Sequence, residues 1–73
     1  MPGEVETATR ATEIAERFVR KHYGFALPLK AVLSDGVWTV EMDVGAVRTV
    51  VATVKIDKRS GKIIEYDIPR LEP

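Results

Sequence analysis

The chain has 73 residues, with 11 basic and 11 acidic side chains and no cysteine. That length allows one small domain with a thin core, burying about 60–65% of its unfolded surface, and the missing cysteines exclude disulfide staples and thiolate metal sites. The balanced charge argues against a dedicated phosphate-backbone binder, whose affinity rests on a basic excess. No apolar run approaches about 18 residues, so no membrane-spanning helix is expected. The opening Met1-Pro2-Gly3-Glu4-Val5-Glu6 lacks the basic and apolar regions of a signal peptide, and the expected location is cytoplasmic.

Residues 4–23 are expected to form a helix. At about 100° per residue, Ala8, Ala11, Thr12, Ile14, Ala15, Phe18, Val19 and His22 fall on one side. Glu6, Arg10, Glu13, Glu16, Arg17 and Arg20 fall on the other. Glu6–Arg10, Glu13–Arg17 and Glu16–Arg20 have the favourable order for pairs four residues apart. Acid leads and base ends the segment, which suits the helix dipole. Gly24 is placed to stop it as a left-handed residue.

Strands are predicted over 27–34, 37–44, 49–57 and 63–68. Asp35-Gly36 is a strong signal for a type I′ hairpin. A two-residue loop there pairs Leu33 with Trp38, Ala31 with Val40 and Leu29 with Met42 on one face, and Lys30 with Glu41 and Val32 with Thr39 on the other. For the next hairpin, a three-residue loop, Gly45-Ala46-Val47, pairs Met42 with Val50, Val40 with Ala52 and Trp38 with Val54, whereas a two-residue loop would bury threonines. Beyond the Lys58-Arg59-Ser60-Gly61 turn, Ile56 faces Ile64, Val54 faces Tyr66 and Lys55 faces Glu65. Pro69 ends the last strand, and Arg70 to Pro73 is expected to be a frayed tail. The result is an α+β fold of one domain, 1–73, with one N-terminal helix packed on a four-stranded antiparallel meander (αββββ). Its core is expected to join Ala11, Ala15, Phe18, Trp38, Val40, Val54 and Ile64.

The stretch Trp38-Thr-Val-Glu-Met-Asp-Val44, then Ala52-Thr-Val-Lys-Ile-Asp-Lys-Arg-Ser-Gly-Lys-Ile-Ile64, resembles the PepSY family: a helix, an aromatic–x–Val strand, and a strand ending in an Asp-x-x-x-Gly-Lys turn. Tyr23-Gly24 at the helix exit also fits. The middle turn, Gly45-Ala46-Val47-Arg48, departs from the short Asp-Gly type of that family, and its members are mostly secreted or membrane-attached. A weaker resemblance, to a gas-vesicle accessory family, rests on the Trp-x-Val-Glu strand, the following Asp and Gly, and Tyr66 and Arg70. The PepSY resemblance implies a binding or inhibitory module and brings no catalytic residues.

No catalytic constellation emerges, and the chain is not expected to be an enzyme. His22, the single histidine, is expected to be a packed imidazole near the helix C-terminus, with no second histidine or cysteine to complete a metal set. Glu41, Asp43, Glu65 and Asp67 point outward as a solvated charged face. Ser34 and Ser60 are turn residues with no histidine nearby, and Gly61-Lys62 lacks the spacing of a phosphate loop. No cofactor or metal is expected.

Geometry suggests a partner. Four strands about 4.8 Å apart are wider than one helix of about 10 Å, so part of the apolar sheet face stays uncovered. The expectation is a non-catalytic interaction or regulatory module, binding a protein or a second copy through Trp38, Met42, Tyr66 and Ile68. Face packing is preferred over edge pairing, because Pro28, Lys30, Glu65, Asp67 and Pro69 guard the edges. The alternative is a small nucleic-acid-associated protein using Arg17, Arg20 and Lys21 at the helix end, with Lys30 beside them, and Lys58, Arg59 and Lys62 at the last turn. Against it, no aromatic side chains are expected on the exposed sheet face to stack bases.

Overall fold

A computed structural model of the chain describes residues 4–69. The expected tail, Arg70 to Pro73, and the first three residues lie outside the described residues. One helix, α1 (Ala8–Arg20), precedes four strands: β1 (Leu27–Ser34), β2 (Val37–Asp43), β3 (Val51–Asp57) and β4 (Ile63–Asp67). The strands form one antiparallel sheet in the order β1-β2-β3-β4, and the helix packs on one face of it, an α+β fold.

The helix is shorter than its periodicity predicts. Thr7 is extended (φ −130, ψ 153), and its hydroxyl accepts a hydrogen bond from the Arg10 amide at 3.1 Å, so it is the N-cap. Residues 4–6 instead run along the sheet. The Val5 amide donates to the Lys58 carbonyl at 2.7 Å, and Val5 is buried. No acid therefore occupies the first turn. Of the expected helical pairs, Glu16–Arg20 forms at 2.8 Å, while Arg10 turns to Glu13 at 3.4 Å. At the other end the amides of His22 and Tyr23 both reach back to the Val19 carbonyl at 2.9 Å. Lys21 caps in the right-handed region, and Gly24 does not adopt a positive φ, so the expected left-handed stop is absent. The connection is drawn round by side chains instead: Arg20 donates to the Ala26 carbonyl at 3.2 Å and the Tyr23 hydroxyl to that of Pro69 at 2.7 Å.

Ala11, Ala15 and Val19 are the fully buried helix face. Two alanines one turn apart let the helix backbone settle close to the sheet. Beneath it lie Val40 and Met42 from β2 and Ala52, Val54 and Ile56 from β3, all inaccessible to solvent. Burying side chains of the larger kinds stabilises by about 1.5–3 kcal/mol each. Every buried side-chain polar atom among the described residues is hydrogen-bonded.

The first turn is as expected: Asp35 and Gly36 both have positive φ (52 and 75), the type I′ geometry. Leu33–Trp38, Ala31–Val40, Val32–Thr39 and Lys30–Glu41 pair as predicted. Beyond Lys30 the register slips. Leu29 is an extra residue, and Pro28 rather than Leu29 stands opposite Met42. Proline lacks the N–H a ladder needs and is accommodated on an edge strand beside a bulge.

The second hairpin differs by two residues from the predicted register. Met42 pairs with Ala52, Val40 with Val54 and Trp38 with Ile56, and the Val44 amide reaches the Val50 carbonyl at 2.8 Å. The cause is Asp43. Its Oδ1 accepts from the amides of both Gly45 and Val50 at 3.0 Å, closing a longer loop. The third hairpin keeps Lys55–Glu65 and Val54–Tyr66, then bulges, so that Ile56 faces Ile63. Ile63 therefore packs on the core, and Ile64, expected inside, is exposed.

Asp57 clamps that last turn. Its Oδ2 accepts from the Ser60 hydroxyl at 2.8 Å and the Ser60 amide at 2.9 Å, and Gly61 completes the turn with φ 75. The hydrogen bonds from the Ser60 side chain and amide hold the Asp57 carboxyl below the ordinary value of 3.8, and those from the Val50 and Gly45 amides do the same for Asp43. A folded pKa below the unfolded one means that this stabilisation is present above 3.8 and is lost as pH falls through the folded values. Urea midpoints of the parent and of a D43N/D57N double variant should therefore diverge above pH 4 and converge in stronger acid. Parallel midpoints throughout would assign the acid sensitivity to other carboxylates.

Candidate functional site

The helix does not sit centrally. Only residues 21–26 connect its end to β1, which holds α1 mainly over β1 and β2, with less over β3. The flank beside β4 is left open, and a groove runs there between helix and strand. Ile14, Arg17, Phe18 and Lys21 from α1 and Ile63 from β4 line a depression of about 190 Å³. Ile14 also borders a smaller one of about 140 Å³, closed by Glu4, Val5, Arg10, Ser60 and Gly61. Both are below the roughly 300–1,000 Å³ of an ordinary small-molecule site.

The groove has an aromatic rung. The rings of Phe18 and Tyr66 lie 5.0 Å apart and tilted, and His22 sets its ring edge-on to Phe18 at 5.3 Å. Such pairs hold each other in place beyond simple burial. Tyr66 shares the face of the sheet that carries Val54, yet it is 57% exposed. It is a core-facing position that the helix covers only in part, through Phe18. Ile68, packed against the edge of the core, is half-buried.

The four residues expected at a contact thus divide. Tyr66 and Ile68 lie on the open flank. Trp38 is 7% exposed and Met42 fully buried, so neither offers a surface. Phe18, expected in the core, is only half-buried, and Phe25 is exposed. Missed by sequence reasoning were Ile14 and Ile63 as groove walls. The short helix-to-β1 connection was the signal that could have found them.

Arg17 and Lys21 stand on the groove rim. Arg20 is engaged by Glu16 and by the Ala26 carbonyl. Lys58, at the last turn, pairs with Glu4 at 3.3 Å, and Arg59 and Lys62 are exposed there. Lys30 is exposed on β1, opposite Glu41. His22 is exposed, and no group of three His, Cys, Asp or Glu among the described residues could hold a metal ion. Glu41, Asp43, Glu65 and Asp67 do not converge: Glu65 lies 3.9 Å from Lys55, and Asp43 serves its own loop. Ser60 is bound to Asp57, and Ser34 is exposed at the end of β1. Among the described residues, no helix is long and apolar enough to cross a membrane. No family model, no curated protein and no solved structure matches this chain.

Proposed function

We propose that this domain is a non-catalytic protein-binding module that takes a short apolar peptide segment flanked by acidic residues into the α1–β4 groove. The observation that carries this reading is Tyr66, on the core-facing side of the sheet, packed at a tilt against Phe18 and still 57% exposed. A large aromatic ring held in place beside uncovered apolar walls is the kind of residue that anchors partner binding. Arg17 and Lys21 on the rim choose acidic flanks by charge complementarity. A PepSY-like regulatory or inhibitory role agrees with such a groove.

The non-catalytic part of the reading rests on how the polar groups are used. Asp43 and Asp57 are held ionised by turn amides and by the Ser60 hydroxyl, and a depressed pKa makes each a weaker base. A nucleic-acid role would draw on Arg17, Arg20, Lys21, Lys58, Arg59 and Lys62, but Arg20 and Lys58 already serve Glu16 and Glu4.

A displayed library of short linear peptides, selected on the intact chain, tests the proposal. Enriched sequences should carry a leucine or aromatic residue beside Asp or Glu. A Y66S/K21E variant alters two exposed side chains and should weaken the selected peptides at least ~10-fold while its circular dichroism stays native. Peptides that bind parent and variant alike would place recognition elsewhere. Binding to generic duplex DNA or single-stranded RNA that falls steeply with salt would favour the nucleic-acid role instead.

A further inference from the structure

On the opposite edge of the sheet, β1 is exposed at every residue but Ala31, and Leu27, Leu29, Val32 and Leu33 are among those exposed. An edge strand offers a row of backbone donors and acceptors on its free side. Its protection is confined to one half: Pro28, the bulge at Leu29 and the charge of Lys30. From Ala31 to Ser34 the strand is regular, with no proline, charge or bulge.

We propose that this edge pairs with the same edge of a second copy of the chain, antiparallel about a two-fold axis at Val32, joining two four-stranded sheets into one. The register follows from the residues. Val32 meets Val32 of the second copy on the outer face. Ala31 and Leu33, which share the helix side with Val40 and Trp38, meet Leu33 and Ala31. Lys30 then falls opposite Ser34 of the second copy. An axis at Lys30 would set two lysines against each other, and an axis at Ala31 would draw the bulged Leu29 into the ladder. An axis at Leu33 would shorten the pairing and run into the Asp35-Gly36 turn.

The helices fit the same arrangement. Because α1 lies mainly over β1 and β2, the two helices stand on the order of 10–14 Å apart across the joint, two to three strand spacings. Packed helices stand about 8–10 Å apart. Leu33 from both copies, 42% exposed in one chain, fills the remaining trough. The pairing is smaller than the roughly 800 Å² per partner of a standard interface, so the dimer forms and dissociates with concentration. It is independent of the α1–β4 groove, which lies at the other edge.

Sedimentation equilibrium of the full chain over roughly 1 μM to 1 mM, the span of weak complexes, tests it. The mass should climb from 8.1 kDa towards twice that value. Val32→Lys puts two ammonium groups face to face at the axis and should weaken the dimer at least ~10-fold. Since Val32 is exposed, circular dichroism should stay native. Ser34→Glu sets a carboxylate opposite Lys30 of the second copy at two symmetric places, and should tighten the dimer several-fold at low salt. A chain that stays monomeric throughout, a dimer that Val32→Lys leaves unchanged, or a Ser34→Glu dimer no tighter than the parent overturns the proposal. So does a monomer whose β1 edge binds only a foreign extended peptide.

Discussion

Trp38→Ala is expected to remove most of the domain's stability. The ring is almost wholly buried, and its Nε1 donates to the Val5 carbonyl at 2.8 Å. Val5 in turn gives its amide to the Lys58 carbonyl, and the Lys58 amide donates to the Gly36 carbonyl at 2.9 Å. One side chain therefore fills the core and ties the segment before the helix to the β2–β3 ladder. Truncating a buried tryptophan costs about 3–5 kcal/mol, and the orphaned carbonyl adds about 1–3 kcal/mol. At roughly 0.05–0.15 kcal/mol per residue, a domain of this size has about 4–11 kcal/mol in all. Trp38→Phe divides the loss differently, because it keeps a six-membered ring in the core while losing the donor and the pyrrole carbons. Its midpoint in urea, followed by far-ultraviolet circular dichroism, should fall between parent and alanine variant. An alanine variant melting within a degree or two of the parent would refute the role given to Trp38.

The sequence displays parity well and register poorly, and the second hairpin shows why. Moving β3 by two residues leaves Ala52, Val54 and Ile56 on the same face, so the hydrophobic pattern fits both pairings equally. What decides between them is a single carboxylate oxygen bound to the amides of Gly45 and Val50, a local contact invisible to periodicity. The bulge at Leu29 was closer to legible, since Pro28 marks it. The helix start was also written in the chain. Thr7 is a preferred cap residue, but Glu6 matches the charge spacing of a longer helix with Arg10, and that match hides Val5 as a core residue. The open strip follows from widths alone, yet its lateral position depends on the connection at residues 21–26. Tyr66 and Ile68, on the outlying strand side, are consequently the half of the expected contact that reaches the surface. Trp38 and Met42, on the strand under the helix, are not.

A matched pair of glycine variants tests the loop that sets this register. A Cβ placed on Gly45 would overlap the Arg48 carbonyl oxygen and stand 2.9 Å from Cγ2 of Val50. The obstructing atom is backbone and cannot swing aside, so Gly45→Ala must move the loop. That movement pulls the Gly45 and Val50 amides away from Asp43, the contact that sets the β2–β3 register. Gly24, by contrast, has nothing within 4 Å of the same position and no positive φ. Gly24→Ala should therefore be neutral or stabilising by about 0.4–1 kcal/mol, through lost freedom of the unfolded chain. Gly45→Ala should destabilise by about 1–3 kcal/mol, the cost of locally strained backbone, which at this size lowers the melting temperature by about 4–8 °C per kcal/mol. Amide hydrogen exchange should localise the damage: Gly45 and Val50 lose protection first, while the Asp35-Gly36 turn exchanges as in the parent. Equal melting temperatures for the two variants would mean that the loop does not hold the conformation in which Gly45 abuts Arg48. The two-residue shift in register would then need a cause other than Asp43.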